Sequence, residues 1–491
     1  MGKQLVLAEK PSVARELARV LGCGKGGKGF LEGTNHIVTW ALGHLVTLAD
    51  PDAYDAKYQK WVLEDLPMIP EKMELVVMKE TAGQYGIVRQ LLHRPDVDGL
   101  IIATDAGREG ELVARWIIAK AVFKKPIRRL WISSQTDKAI KEGFASLKPG
   151  EAYVNLYKSA QSRAEADWLV GLNVTRALTC KYNAQLSAGR VQTPTLAMVV
   201  AREDEIRRFI PQDYWTIQAL TDGMVLLWRD KNGQARLTDK ARAEAISKAV
   251  TGQTGRITQL EKSAKEELPP LGYDLTSLQM DANKKYGLTA KQTSNVMQQL
   301  YEHHKLVTYP RTDSKHITRD IVPTLPERLK CIAIGPYKDA VAQLLRAGVK
   351  TTRRFVDDSK VTDHHAIIPT EQFVDLNGLK PEEKHIYDLI VKRFLAVLSP
   401  AYEYEQTTVR AEAGGEIFQA KGRMVKSLGW RAIYNEAPAD MDADEDDSEQ
   451  NLPELKKGCM LPIRSVKVVN GKTRPPARYN EATLLAAMEH P

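Results

Sequence analysis

Tyr309 lies in LVTYPRTDS (306–314), between an apolar run and an arginine two residues on. A phenol with a pKa of about 10 is roughly one-thousandth ionised at neutral pH, and bringing that pKa to 7 takes about 4 kcal/mol of preferential phenolate stabilisation. Neighbouring cations and a bound phosphate can supply it. Leu306, Val307 and Thr308 read as a short strand that Pro310 stops. On a strand Arg311 shares a side with Tyr309, and Lys305 is close. The planar guanidinium fork suits a phosphate that the phenol would attack. The same tyrosine, one of seventeen, also fits plain packing on an amphipathic strand.

A second group is acidic. IIATDAGREGE (101–111) ends an apolar strand at Asp105 and starts a helix with Arg108, Glu109 and Glu111 in its first turn. VLAEKPS (6–12) repeats the arrangement with Glu9 and Lys10. Function in open parallel sheets gathers outside the carboxyl ends of strands. If the two strands are neighbours, Glu9 and Asp105 meet at one rim, and a few carboxylates there suit Mg²⁺, which keeps most of its waters. The alternative is that Asp105 caps the helix and the glutamates complement its dipole.

Three further stretches carry candidate chemistry. LSAGRVQTPTL (186–196) is a small, polar turn leading into a helix, where backbone donors, Arg190 and Gln192 suit a sugar-phosphate backbone. SRAEADWLVGLNVTR (162–176) sets Trp168 and Arg176 on helices, one for stacking and one for phosphate, although a helical tryptophan also packs in cores. KVTDHHAIIPT (360–370) puts His364 and His365 beside Asp363. Adjacent side chains diverge, so one histidine is the candidate for a phosphate hydrogen bond or a proton shuttle.

These residues need a scaffold. The first 150 residues alternate between strands (4–9, 73–80, 99–105, 129–134) and helices (12–21 capped by Ser12, 84–93, 107–121, 136–147 capped by Thr136), the pattern of a parallel sheet covered by helices. A stretch from about residue 30 interrupts it. Residues 151–210 read as helices, 213–265 as strands, 274–302 as two helices broken at Gly287 with the second capped by Thr289, 380–399 as helix and 402–470 as strands again. The pattern predicts an α/β and α+β multidomain chain in which two strand-rich flanks carry a helical insert.

The chain has 491 residues and a net charge of +8. The run ADMDADEDDSEQ (439–450), read as a disordered loop, holds seven acids and no base, and removing those charges raises the balance from +8 to +15. Such an excess favours a polyanionic partner. Cys23, Cys180, Cys331 and Cys459 form no CxxC pair, which argues against zinc and for reduced cytoplasmic thiols. No apolar run approaches 18 residues, so no membrane span is expected. No GxxxxGK[ST] loop is present, so no ATP site is read.

Together LAEKPS (7–12), ATDAGREGELVAR (103–115), SAGRVQTPTL (187–196), LVTYPRTDS (306–314), DHHAIIPT (363–370) and PPARYNEATLLAAME (475–489) resemble the type IA DNA topoisomerases, in the family's order and over nearly the whole chain. The resemblance implies a Toprim domain with a Rossmann-like parallel sheet over 1–150, with an excursion at about 30–65. It implies a helical DNA-binding domain (151–212 plus 476–491), a β-rich arch (213–266 plus 400–475) and a cap (267–399), together forming a toroid. It also implies Tyr309 as nucleophile, Arg311 as its phosphate-binding partner, Lys10 near the scissile phosphate, His364 as the catalytic histidine of the cap, and Glu9, Asp105 and Glu109 as Mg²⁺ ligands, with Glu9 the candidate general acid. Trp61, Trp168, Arg176 and the run Ser187, Ala188, Gly189, Arg190, Val191 and Gln192 match DNA-contacting positions. The expected partner is single-stranded and negatively supercoiled DNA, handled by a nucleoid-associated bacterial monomer. Two departures stand out. Gly107 replaces the middle acid of the family's D-x-D-x-E, for which Glu111 is a possible substitute. The sequence also stops where family chains continue, which predicts a fragment with impaired relaxation. A Toprim nuclease or primase, or a non-catalytic single-strand binder, are the rival classes.

Overall fold

The computed structural model describes residues 2–133, 135–361, 364–434 and 449–489. Asp363 and the acids from Asp440 to Asp447, expected in a loop, lie outside the described residues. The chain opens with β1 (Lys3–Ala8), α1 (Pro11–Val20), β2 (Lys25–Gly27), β3 (Phe30–Glu32) and β4 (His36–Trp40). Next come β5 (Val46–Leu48), β6 (Leu75–Val77), α2 (Ala82–Leu92), β7 (Val97–Ala103), α3 (Arg108–Ala121), β8 (Ile127–Arg129), α4 (Asp137–Ala145) and β9 (Lys148–Pro149). Seven of these strands form one sheet in the order β2-β3-β4-β1-β7-β8-β9. Its centre, β4-β1-β7-β8, is parallel, and antiparallel strands flank it. β1 and β7 are buried on both faces, as helix-covered parallel strands are. Their register pairs Ala8 with Ala103, so both strand ends reach the same rim.

Several expectations change here. The interruption expected from residue 30 begins after Trp40, because β3 and β4 belong to the sheet. The apolar 73–80 run forms β6, which pairs only with β5 in a separate two-stranded sheet. The strand expected at 129–134 lies at 127–129, and residues 130–133 leave the sheet toward the rim. Ser12 does not cap α1, whose N-cap is Lys10 with Pro11 at the first helical position.

Two helices follow, α5 (Val154–Tyr182) and α6 (Gln192–Arg208). Then come β10 (Asp213–Thr221), β11 (Met224–Arg229), α7 (Lys240–Val250) and β12 (Thr254–Glu267). α7 stands where only strands are expected, capped by Asp239, whose carboxylate accepts from the amides of Ala241 and Arg242. Next are α8 (Leu275–Tyr286), α9 (Ala290–Glu302), α10 (Leu325–Cys331), α11 (Lys338–Ala347) and α12 (Pro381–Val397). Gly287 ends α8 at φ +68°, and Thr289 and Gln292 build a capping box on α9. The chain returns through β13 (Tyr402–Ala413), β14 (Glu416–Ser427), β15 (Met460–Pro462) and β16 (Ser465–Lys472), then α13 (Glu481–Glu489). A second, antiparallel sheet runs β15-β12-β13-β14-β11-β10-β16. The helices between β12 and β13 close their own core around Leu278, Met297, Tyr387 and Phe394. β12 and β13 pair up to Glu267 opposite Tyr402, where both strands pass into that helical unit. Leu306–Thr308 is not a strand. It is an extended segment with one isolated bridge, Val307 to Pro369.

Candidate active site

The rim of the first sheet and the 306–314 segment meet. Glu9 follows β1 and is buried, and its Oε2 accepts the backbone N–H of Asp105, which follows β7, at 3.2 Å. Burial first, and the Asp105 charge second, raise the Glu9 carboxyl to a pKa of about 7, while Lys10 and Arg311 oppose the shift. Asp105 is raised as well, chiefly by burial. Asp105 does not cap α3: the N-cap is Gly107, with extended backbone and no side-chain cap.

Beneath this rim lies Arg129, fully buried. One guanidinium nitrogen donates to the carbonyls of Ile102, Thr104 and Leu130 and the other to that of Asp105, at 2.7–3.2 Å. Its Nε lies 2.7 Å from Glu111, which also pairs with Arg115 at 3.1 Å. Glu111 is therefore committed to buried cations and does not replace the missing acid at Gly107. Glu109 is half exposed and faces Arg163 at 3.9 Å. Among the described residues no three potential ligands gather into a metal cluster. The expected three-carboxylate set is thus two adjoining acids, Glu9 and Asp105, with Glu109 apart.

Tyr309 is buried against this pair. Its hydroxyl stands 3.5 Å from Asp105 Oδ2, at the outer edge of hydrogen bonding. Its amide donates to the Ser133 carbonyl at 2.9 Å. Its ring stacks on His364 at 4.2 Å and meets the edge of Tyr301 at 5.5 Å. Burial, then the Asp105 charge, push the phenol pKa well up, and Arg311 pulls it down. Arg311 is exposed, with no ion pair or hydrogen bond among the described residues. His364 holds the Ala106 carbonyl through Nε2, so its Nδ1 accepts from Ser133 Oγ at 2.8 Å. Burial lowers its pKa to about 3. His365 points elsewhere, bonded to the Ala366 carbonyl at 2.7 Å. Lys10 pairs with Glu302 at the end of α9, at 2.9 Å. Lys305 pairs with Glu16 on α1. Glu302, Arg129 and Ser133 carry no sequence signal of their own beyond proximity to the motifs.

The expected DNA-contacting residues divide. Trp168 donates its indole N–H to the Ala49 carbonyl at 2.9 Å, and buried Arg176 donates to the Tyr58 carbonyl at 2.7 Å while its guanidinium covers the Trp61 ring at 5.0 Å. With Asn173, which grips both the N–H and the carbonyl of Met68, they pin the 49–68 excursion to α5. Trp61 remains half exposed. In the turn before α6, Ala188 is buried and bonded to Thr175, and the Gly189 amide donates to Thr193. Ser187, Val191 and Gln192 are exposed. Arg190 pairs with Asp167 at 2.7 Å on the surface, a contact that a phosphate can displace at little cost.

A tyrosine brought from a separate helical unit onto an acidic strand rim defines a class. Residues 4–135 match the Toprim domain family and residues 151–491 the DNA topoisomerase family, and the chain belongs to the type IA DNA topoisomerases. It is 56% identical to DNA topoisomerase 3 of Bacillus cereus (strain ATCC 14579) and 57% identical to that of Bacillus subtilis (strain 168), over 100% of this chain and 68% of each relative. Full-length topoisomerase I from Thermotoga maritima shares the fold, with a TM-score of 0.72 at 22% identity over 99% of this chain and 75% of that one. Toprim domains generally bind Mg²⁺. No helix among the described residues is long and apolar enough to cross a membrane.

Proposed function

We propose that this chain cuts one strand of DNA with Tyr309, passes a second strand and reseals the first, relaxing negatively supercoiled DNA and decatenating linked DNA. The observation that carries the reading is the Tyr309 hydroxyl lying 3.5 Å from Asp105, which adjoins Glu9. The phenolic oxygen attacks phosphorus, the bond to the 3′-oxygen breaks, and a 5′-phosphotyrosine forms beside a free 3′-hydroxyl. The phosphodiester energy is kept in that bond, so resealing needs no ATP. The phenol loses its proton toward Asp105. Glu9, protonated up to a pKa of about 7, gives a proton to the leaving 3′-oxygen and takes it back on resealing. Arg311 and Lys10 hold the phosphate and stabilise the charge that develops on it, Lys10 after leaving Glu302. His364 braces the tyrosine ring and the rim.

Glu9 and Asp105 would hold Mg²⁺. Two adjoining hard-oxygen acids, each disfavoured as a bare anion, fit an ion that takes one or two carboxylates plus substrate phosphate, and when bound it supplies positive charge to the phosphate. Exposed Trp61, Ser187, Arg190, Val191 and Gln192 would line the path of single-stranded DNA into the rim. The unit division at 1–150, 151–212, 213–266 and 267–399 belongs to the same reading, with the last unit lifting as the gate.

Incubation of a 3′-end-labelled oligonucleotide with Mg²⁺, followed by a denaturing gel, tests this. Wild type gives protein-linked label and Tyr309→Phe gives none. Strand cutting that persists in Tyr309→Phe would point to a Toprim nuclease, and affinity without any adduct in wild type would point to a binding protein.

A further inference from the structure

We propose that Trp131 is a positioning residue for Tyr309, the fixed member of an aromatic column that the helical unit completes when it seats on the first sheet. The inference rests on Tyr309 being the nucleophile. Trp131 lies in the 130–133 segment that leaves β8 for the rim. One face of its indole stacks on Tyr153, with centroids 4.7 Å apart and planes at 18°. It also stacks with His364, at 5.8 Å and 12°. His364 in turn stacks on Tyr309, at 4.2 Å and 29°. Tyr153 and Trp131 belong to the rim and its junction with α5, whereas His364 and Tyr309 come from the helical unit. The Trp131–His364 contact is where the column crosses between them.

The geometry gives that contact a task the hydrogen bonds cannot perform. His364 is tied by Nε2 to the Ala106 carbonyl and by Nδ1 to Ser133 Oγ. Both bonds lie in the plane of the imidazole, so they fix its edge and leave it free to tilt about the line through its two nitrogens. Near-parallel stacking with Trp131 and with Tyr309 resists that tilt. Trp131 is itself fixed from below by Arg129, whose guanidinium lies 5.1 Å from its ring. Arg129 is the residue that grips the carbonyls of Thr104 and Asp105. One chain of contacts, from Asp105 through Arg129, Trp131 and His364 to Tyr309, therefore sets the phenol against the acid. Aromatic pairs prefer defined offsets rather than mere apolar filling, so the ring and not its volume carries the effect. A misplacement of about 1 Å at a reacting centre costs on the order of 100-fold in rate.

The test compares Trp131→Phe with Trp131→Leu. Single-turnover adduct formation on the labelled oligonucleotide is measured with single-strand affinity by anisotropy and thermal melting, and Tyr309→Phe runs in parallel. Trp131→Leu is expected to slow adduct formation at least tenfold with affinity within about twofold, while Trp131→Phe stays within about threefold of wild type. Equal rates for wild type and Trp131→Leu, or equal slowing in the Leu and Phe variants, overturns the proposal. If Trp131→Leu melts so low that it is unfolded in the assay, the Phe variant decides alone: a tenfold loss in that folded protein overturns the role of the ring, and near-wild-type cleavage supports it. Adducts persisting in Tyr309→Phe would instead sink the underlying nucleophile assignment, whatever the Trp131 variants do.

Discussion

Glu9 is buried beside a second acid, and its pKa of about 7 ties the rim to pH. A carboxyl raised in the folded state is held there as its neutral form. Below the unfolded value of 4.5 both states keep the proton and nothing is lost. Between 4.5 and about 7 the unfolded chain ionises first, so this group removes stability as pH rises, reaching roughly 3 kcal/mol above pH 7. His364 acts with the opposite sign: lowered from 6.5 to about 3, it removes stability as pH falls below 6.5. The two overlap, so the informative quantity is a difference between variants. In metal-free buffer Glu9→Gln should match wild type in melting temperature at pH 4.5 and exceed it above pH 7. A difference independent of pH would contradict a Glu9 carboxyl raised by burial and the Asp105 charge. Gly107 offers a second residue-level test. Its backbone is extended, at φ −180°, and a Cβ there meets open space. Aspartate fits at this N-cap with unchanged or slightly higher stability. Gly107→Asp is expected to lower the Mg²⁺ concentration for half-maximal adduct formation several-fold, and an unchanged requirement would show that the third acid is dispensable in this rim.

Among the elements, β7 and α3 meet at a tight junction. Thr104 donates to the Gly110 carbonyl at 2.8 Å, and a Cβ on Gly110 would stand 2.0 Å from the Asp105 carbonyl oxygen. Backbone cannot yield there without moving Asp105. Gly110→Ala should therefore abolish adduct formation and lower stability by about 1–3 kcal/mol, checked by the labelled-oligonucleotide gel and thermal melting. This junction also separates what the sequence discloses from what it does not. β1 and β7 are readable because each is an apolar run ending in an acid, but strand–helix alternation leaves their order open, and only the β1–β7 register makes them neighbours. The break at Gly287 and the Thr136 and Thr289 caps are local, and local signals are written in local residues. β6 shows the limit: Leu75–Val77 has the pattern of a sheet strand, but its partner β5 is chosen by tertiary packing. The 306–308 segment has strand composition but pairs only across the single Val307–Pro369 bridge, through the Thr308 amide to Ile368 and the Thr370 amide to Leu306, before the Tyr309 amide turns to Ser133. Glu9 and Asp105 were legible as a pair. Their distance to Tyr309 was not, since some 200 residues separate Asp105 from Tyr309 and only the folding-back of α8–α12 brings them together. Arg129 looks like one more surface cation beside Arg128 and is instead the buried clamp of the rim.

Across the whole molecule, the helical unit is held to the first sheet by contacts that can part and to the second sheet by strands that cannot. Among the described residues the parting face includes Tyr309, His364 and the ion pairs Lys10–Glu302, Lys305–Glu16 and Lys138–Glu327. Charged contacts of this kind weaken as a phosphate backbone and salt compete for them. The fixed face is the end of the β12–β13 ribbon, and residues 428–434 return across it. Gly429 passes so close to Ala401 that a Cβ would stand 2.0 Å from its carbonyl oxygen. The Trp430 amide donates to the Pro400 carbonyl at 2.9 Å and its indole N–H to the Glu267 carbonyl at 3.0 Å. Arg431 pairs with the Glu267 carboxylate and lies over the Tyr402 ring at 4.4 Å. One short segment thus ties both ribbon strands at the point where they enter the helical unit, far along the chain from any residue of the rim. A stiff tie transmits movement of the unit into the second sheet, and a slack one dissipates it. Arg431→Ala should therefore leave oligonucleotide cleavage within about twofold of wild type, because the rim is intact, and slow relaxation of a supercoiled plasmid several-fold, because each passage needs the unit to lift and reseat in register. Cleavage and relaxation falling together would place the effect at the rim, and relaxation at the wild-type rate would mean that the tie carries no part of the motion.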